Sequence, residues 1–403
     1  MPLPGSFARL RRAQDDNGWF FGVAPKAGRR IRGEEICVFY KVGSHKKFHI
    51  RKEEIAPMQM KSMKLTGIRE MKLMNVPMPV IRKNDDVLLK MGAVGICGSD
   101  AHYYKTGRIG SQLVRYPFTL GHECSAVVEG VGRGVSRIRP GDRVFVEPAA
   151  TCGACDQCKA GRPHTCRNIR FLGSPGQSEG CLSEYLVMPE ECCFPVRAAT
   201  SLEQAALAEP LSIGLYSVRL ASLQPDQTVG ILGVGPIGLS VLLVALRSGV
   251  KTVYATDKLD DRLQMAKSRG AAWVGNTLNT DVAETIRRSE PLLLDVVFEC
   301  CGEQEALDQA VEILKPGGKL MVVGIPETER ISFKSEELRR KEIRIQHVRR
   351  QNGCVQPALD MIETGDVPVD FMVTHRFSLD RTQEAFDLVF AYADGVIKAM
   401  VMI

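Results

Sequence analysis

The sequence predicts an α/β protein in two parts, a β-rich part carrying metal ligands and a doubly wound parallel sheet carrying a glycine-rich turn. The predictive features lie in order along the chain. Cys97 precedes the triplet Gly121-His122-Glu123, and four cysteines, Cys152, Cys155, Cys158 and Cys166, then crowd one short loop. Further on, Gly233-Val-Gly235-Pro236-Ile237-Gly238 separates an apolar, strand-like run from a helix-like one.

At 403 residues the chain exceeds what one hydrophobic core usually serves, so two domains and an appendage are expected. Charged residues make up 25% and hydrophobic ones 44%, which excludes wholesale disorder. The formal net charge of +6 sits in residues 1–60, where 12 Lys/Arg face 6 Asp/Glu. The remaining 41 basic and 41 acidic residues cancel. A neutral body does not steer polyanions, so no nucleic-acid partner is expected.

The 13 cysteines, among them the neighbours Cys192-Cys193 and Cys300-Cys301, do not look like a disulfide scaffold. A reducing, cytoplasmic setting is expected. The first residues lack the apolar segment of a secretory leader. Residues 227–246 carry no charge and are long enough to cross a bilayer. Gly230, Gly233, Gly235, Pro236 and Gly238 would break a single helix there. A buried strand, a tight turn and a buried helix account for the run, and no membrane partner is expected.

Residues 1–60 form a basic extension of unassigned structure, with a strand-like Ile36–Tyr40. Residues 61–212, joined by the tail 348–403, read as the β-rich domain. Val127-Val128, the glycine-rich turns after it and Asp142–Val146 have strand character. At Thr200 the pattern changes: Thr200-Ser-Leu-Glu203 fits a capping box, and apolar residues then recur at helical spacing. Residues 213–347 alternate strands (229–232, 252–256, 293–298, 320–323) with helices. One helix, Gln304–Leu314, stops at Lys315-Pro-Gly-Gly318. Such alternation predicts a parallel sheet covered on both faces.

Gly233, Gly235, Pro236, Ile237 and Gly238 suit a dinucleotide site, because the glycines allow a tight turn and close approach of a pyrophosphate. The N-terminus of the following helix attracts that anion. Asp257 ends the next strand, 19 residues after Gly238. It is expected to accept hydrogen bonds from both hydroxyls of an adenosine ribose and to repel a 2′-phosphate. That selects NAD over NADP, a preference softened by Lys258 and Arg262, the latter a further cofactor-site residue.

Cys97, His122 and Glu123 supply sulfur, nitrogen and oxygen, a set that holds zinc and leaves a coordination position open. Ser99 and His102 follow Cys97 by two and five residues, where a proton relay to solvent needs a hydroxyl and an imidazole. Glu209 is the next candidate. One thiolate and one carboxylate already cancel Zn2+, and a second carboxylate in contact would disfavour an alkoxide. Glu209 is therefore expected to hold the water or substrate at the open position and to ligate only occasionally.

Cys152, Cys155, Cys158 and Cys166, spaced C-x2-C-x2-C-x7-C, form a closed four-thiolate set that braces structure and does no Lewis-acid chemistry. The alternatives are an iron–sulfur cluster, whose motif continues with a short gap and Cys-Pro, and a site in which His164 replaces Cys166. Arg167, not proline, follows Cys166.

Together these motifs resemble the zinc-dependent medium-chain dehydrogenases over about residues 61–403. The resemblance implies a GroES-like catalytic domain, a Rossmann domain and a cleft between them. It implies a catalytic zinc on Cys97, His122 and Glu123 and a structural zinc on Cys152, Cys155, Cys158 and Cys166. Gly95–Tyr104, Gly107-Arg-Ile-Gly110, Glu209-Pro-Leu-Ser212 and Val373-Thr-His-Arg-Phe377 are similar to the sorbitol (polyol) dehydrogenase branch. That branch implies oxidation of a secondary alcohol of a sugar alcohol to a ketose with NAD, in a homo-oligomer, tetramer or dimer. It also implies that Tyr103 and Arg349 contact the small-molecule alcohol. The branch commonly has a tyrosine after that arginine; this chain has Arg350 and then Gln351-Asn352, which leaves the particular polyol open.

Threonine dehydrogenases share the cysteine knot but usually carry aspartate at the position of Glu209. A non-catalytic protein on this fold is expected to lose metal ligands, and Cys97, His122 and Glu123 are all present. A nucleic-acid binder needs a basic face with stacking aromatics, which only residues 1–60, with Trp19-Phe20-Phe21, offer.

Overall fold

The computed structural model describes residues 58–403 and, ahead of them, the backbone of four short strands at 13–14, 19–22, 38–41 and 48–49. These pair antiparallel in chain order. The strand expected at Ile36–Tyr40 is observed as Val38–Lys41. The aromatic and basic side chains of the extension lie outside the described residues. The chain divides into two compact units, Met1–Gln59 and Met60–Ile403.

In the large unit, the strand Asp86–Gly95 is central to a seven-stranded sheet. Val87, Leu89, Met91 and Ala93 recur at every second position and are buried, so one face of this strand is sealed by its own alternation. It pairs antiparallel with Glu123–Val131, Tyr185–Pro189 and the C-terminal Lys398–Met402. The tail thus returns to the first sheet, as expected, and Val373–Ser378 runs parallel beside its last strand. Both Glu123 and Met400 pair with Gly95, which brings residues from opposite ends of the unit to one point.

The second sheet has six parallel strands, in the order Trp273–Asn276, Thr252–Asp257, Thr228–Leu232, Leu294–Glu299, Leu314–Val322, Arg344–His347. Consecutive buried residues such as Val229, Ile231 and Leu232 show why its central strand reads as one apolar run: helices cover both faces. Strand order reverses beside Thr228–Leu232, and a crevice opens at the carboxyl end of a strand at such a point. The glycine turn stands there, leading into the apolar helix Pro236–Arg247 with proline in its first turn. Residues 227–246 therefore divide into strand, turn and helix. Among the described residues no helix is long and apolar enough to cross a membrane.

Local differences from the sequence reading have physical reasons. The capping box belongs to Ser201 and Gln204, one residue later than expected: Ser201 Oγ accepts from Gln204 N and Gln204 Oε1 accepts from Ser201 N. Glu203 is instead drawn into an ion pair with Arg376. Lys315–Gly318 does not separate helix from strand. Leu314 pairs with Leu294 and Lys319 with Val296, so the intervening residues bulge out of a continuous strand, with Gly317 at φ +77°. The helix Val355–Glu363 buries Val355, Ala358 and Leu359 in the core that also holds Leu211, Leu215 and Leu242.

Gly233 takes φ +90°, and a Cβ on Gly238 would stand 1.9 Å from the Gly233 carbonyl oxygen. The turn closes only with hydrogen at Gly238. Gly238→Ala is expected to cost about 1–3 kcal/mol through overpacking and to weaken nucleotide binding. Thermal melts and a fluorescence titration with NADH read both effects, and an unchanged melt would show that the turn can open without penalty.

Candidate active site and metal centres

The helix Gly98–Thr106 starts at Cys97, and its N-terminus is organised by Asp100. Asp100 Oδ2 accepts from Cys97 N at 3.2 Å, and Oδ1 accepts from Gly121 N at 3.2 Å. Oδ1 also lies 3.3 Å from His122 Nδ1. One carboxylate therefore ties the Cys97 segment to the His122 segment. With Nδ1 donating to Asp100, the other imidazole nitrogen presents its lone pair, the usual support of a metal-binding histidine.

The ligand atoms of Cys97, His122 and Glu123 all lie within 4.8 Å of one another. Glu123 Oε1 is buried with no hydrogen-bond partner, an acceptor that a cation would satisfy. Burial opposes charge on His122, but Asp100 and the Cys97 sulfur outweigh it and raise its pKa well above the usual imidazole value. The same negative groups favour a bound cation, and sulfur, nitrogen and oxygen donors fit zinc. The other Glu123 oxygen accepts from Lys398 Nζ, which also donates to the Ile96 carbonyl at 3.1 Å. Lys398 is buried among these groups.

The four thiols form a second cluster, with their sulfurs within 4.8 Å of one another. Sulfur separations are 3.6 Å for Cys155–Cys158, 3.9 Å for Cys155–Cys166 and 3.4 Å for Cys166–Cys152. A disulfide needs about 2 Å, whereas tetrahedral zinc with Zn–S near 2.3 Å separates sulfurs by roughly 3.8 Å. Cys152 N and Asn168 N donate to Cys166 Sγ, each at 3.4 Å. His164 is not in the cluster, and its Nε2 lies 3.2 Å from the Tyr216 hydroxyl.

Ser99 Oγ donates to Cys97 Sγ at 3.4 Å. His102 turns to Glu327, with 3.7 Å between Nε2 and the carboxylate, and burial lowers its pKa. No hydrogen bond joins Ser99 to His102. Glu209 sits in the first turn of Ala208–Ala221, buried and outside the ligand set. Burial raises its pKa to about 8, with Glu123 and Glu147 adding to the rise and His122 and Lys398 opposing it.

The Tyr103 hydroxyl donates to Gln112 Oε1 at 3.1 Å. Arg349 is exposed and lies near Tyr103. Arg350 stacks on Phe171, 3.8 Å from the ring centroid, and the Phe171 ring lies 5.2 Å from that of His122. Burial first, then the neighbouring Arg349, lowers the Arg350 pKa to about 9.

At the glycine turn, Asp257 is engaged by the backbone. Its Oδ2 accepts from Val234 N at 2.9 Å, and Oδ1 accepts from Lys258 N at 2.8 Å and Leu259 N at 3.0 Å. A carboxylate offers about four acceptor positions, so capacity remains for one ribose hydroxyl rather than two. The Arg262 guanidinium lies beside Gly235, with Nε buried and unpartnered and its plane 5.1 Å from the Tyr392 ring. Glu327 connects the two halves: it pairs with His102 and Lys105. Its loop packs through Gly324 and Ile325 on Gly302, while Cys301 packs on Gly233. The helix after Cys97 and the glycine turn therefore border one crevice.

Asp100, Lys398 and Glu147 escaped the sequence reading. Asp100 stands inside the Cys97-Gly-Ser-Asp run, and Glu147 interrupts an apolar strand before Pro148, so both left a weak signal. Lys398 left none, being 275 residues from Glu123. Glu147 accepts from Gln351 Nε2 at 2.6 Å and Ala149 N at 3.1 Å.

Residues 83–198 match the alcohol dehydrogenase GroES-like domain, and residues 236–364 match the zinc-binding dehydrogenase domain. The chain is 37% identical to the sorbitol dehydrogenase of Bacillus subtilis over 86% of its own length and 98% of the relative's. A solved oxidoreductase/dehydrogenase of unknown specificity from Escherichia coli superposes with a TM-score of 0.81 at 31% identity, covering 86% of this chain and 99% of the other. A zinc-binding dehydrogenase from Sinorhizobium meliloti 1021, bound to NADP, gives a TM-score of 0.78 at 31% identity, covering 86% and 100%.

Burial raises the Glu147 pKa from the ordinary 4.5 to about 7. The folded state therefore keeps a proton that the unfolded chain releases between those values. Stability falls as pH rises through that window, by about 3 kcal/mol in all, and levels off above it. Glu147→Gln is expected to lack this slope, as denaturant melts at pH 5 and pH 8 would show; parallel slopes for both proteins would refute it.

Proposed function

Because the chain belongs to the zinc-dependent medium-chain dehydrogenases, in their sorbitol dehydrogenase-like branch, we propose that it oxidises a secondary alcohol of a polyol of the sorbitol or xylitol kind to a ketose, with NAD as acceptor. The observation that carries this reading is the set of three ligand atoms with an orphan buried oxygen. When bound, zinc on Cys97, His122 and Glu123 supplies Lewis acidity toward the alcohol oxygen, and the nicotinamide nucleotide supplies a two-electron acceptor.

The chain's own residues do the rest. Asp100 orients His122 and Cys97 through its hydrogen bonds. Lys398 offsets the charge of Glu123, so that site does not accumulate anions. Glu209, with its pKa near 8, can take up and return a proton close to neutral pH. Ser99 stands beside the ligand sulfur, and His102, paired with Glu327, can exchange a proton with solvent. The free N–H groups at the start of Pro236–Arg247 hold the pyrophosphate, with Asp257 at the ribose and Arg262 beside Gly235.

In this reading residues 61–212 with 348–403 form the catalytic domain and 213–347 the nucleotide domain. Four thiolates, Cys152, Cys155, Cys158 and Cys166, hold the structural zinc. The free cysteines of the described residues support a reducing, cytoplasmic setting. The edge strand Arg344–His347 offers unpaired backbone groups to a second copy in a homo-oligomer.

NADH appearance with sorbitol, xylitol and ribitol, lost with a chelator and restored by zinc, is the expected result. A strong signal with threonine and none with any polyol would overturn the reading. Glu209→Ala is expected to lower kcat about 100-fold or more with zinc content retained; matching zinc loss would make Glu209 a ligand.

A further inference from the structure

Arg349 and Arg350 are consecutive, each near enough to Tyr103 to be felt by it, and neither guanidinium forms an ion pair among the described residues. Arg350 is anchored there. Its guanidinium lies over the ring of Phe171, whose ring is also next to the imidazole of His122, so one aromatic side chain separates the cation from the candidate metal centre. Arg350 Nη1 is buried with no hydrogen-bond partner, a donor left open by the protein itself. The backbone at Arg350 takes φ +53°, a left-handed conformation that disfavours any side chain with a Cβ.

Neighbouring contacts impose that conformation. Gln351 Nε2 donates to Glu147 and Gln351 Oε1 accepts from Cys354 N at 2.9 Å. Asn352 Nδ2 donates to the Gly161 carbonyl, also at 2.9 Å. The loop is thus fastened immediately after a strained arginine whose Nη1 finds no hydrogen-bond partner within the protein.

Neutralising Glu147 and Glu209 does not account for Arg350. A guanidinium placed for that purpose would pair with one of them, and it does not. Glu147 spends its oxygens on Gln351 and Ala149. A neutral polyol offers only hydroxyls, which leave two neighbouring cations uncompensated. A carboxylate or phosphate matches the planar fork of arginine with paired, charge-assisted hydrogen bonds.

We propose that the substrate is an anionic polyol, whose terminal carboxylate or phosphate seats on Arg349 and Arg350 while a carbinol further along reaches Cys97, His122 and Glu123. This rests on the polyol dehydrogenase reading of the same site and specifies its substrate class. The anionic group stays intact. The carbinol carbon alone is oxidised: its hydrogen leaves with two electrons to NAD+, and the hydroxyl proton goes to solvent.

The test compares kcat/KM of the zinc-loaded enzyme for matched pairs, sorbitol with gluconate and sorbitol with sorbitol 6-phosphate. The anionic member of one pair is expected to be preferred about tenfold or more, and the responding pair identifies carboxylate or phosphate. In Arg350→Tyr that preference is expected to drop about 10- to 100-fold, mainly through KM. Arg350→Lys, which keeps the charge without the fork, is expected to fall between, and thermal melts check that both variants fold. A wild-type preference for sorbitol in both pairs, or an anion-to-neutral ratio unmoved in Arg350→Tyr, overturns the proposal. If no alcohol is oxidised, the polyol reading fails on its own account, and calorimetry still decides this one. Saturable binding of gluconate or sorbitol 6-phosphate, lost in Arg350→Tyr, upholds it; no binding overturns it.

Discussion

Lys398 donates to Glu123 with both side chains sealed from water, and much of the large unit follows from keeping that pair together. A buried ion pair recovers its desolvation cost only when its geometry is good and its remaining groups are satisfied. Here the geometry comes from strand register. Glu123 and Met400 both pair with Gly95, so Glu123 and Lys398 meet only when three strands are aligned. A second donor direction of Lys398 is met by the Ile96 carbonyl. What stays open is Glu123 Oε1, beside Cys97 and His122. The protein thus stabilises half of a carboxylate and leaves the other half for a cation.

Charge around that point is graded rather than cancelled. Asp100 carries hydrogen bonds from Cys97 and Gly121 and faces His122. Glu209 and Glu147 lack such donors in sufficient number, and burial drives their pKa values up to about 8 and about 7. The two glutamates are therefore set apart from an ordinary carboxyl by burial. Arg350 and Arg349 add positive charge on the far side of Phe171.

The nucleotide side depends on close approach rather than on charge. Gly233 leaves room for Cys301, and Gly238 for the Gly233 carbonyl. The strand Thr228–Leu232 can then hand over to Pro236–Arg247 within a few residues. Asp257 braces the same turn by accepting from Val234 N before any ligand arrives. Glu327 reaches across to His102 and Lys105, so the two sheets share one boundary at the crevice.

Residue chemistry and local spacing were enough to read the thiol cluster, the set of Cys97, His122 and Glu123, and the strand–glycine turn–helix unit, because each is written within a short stretch or in scarce residue types. The alternation of strands with helices was equally legible, since covering both faces of a parallel sheet forces long apolar runs. Other features were decided only by folding. Lys398 carries no motif and becomes important because the last strand lands beside Gly95. His102 lies on the expected helix, yet its ring pairs with Glu327, from a loop that follows a strand of the other sheet. Asp257 spends acceptor capacity on the backbone of its own turn. Burial, register and contact between segments far apart in the chain set each of these outcomes, and none of the three is a property of a local run of residues.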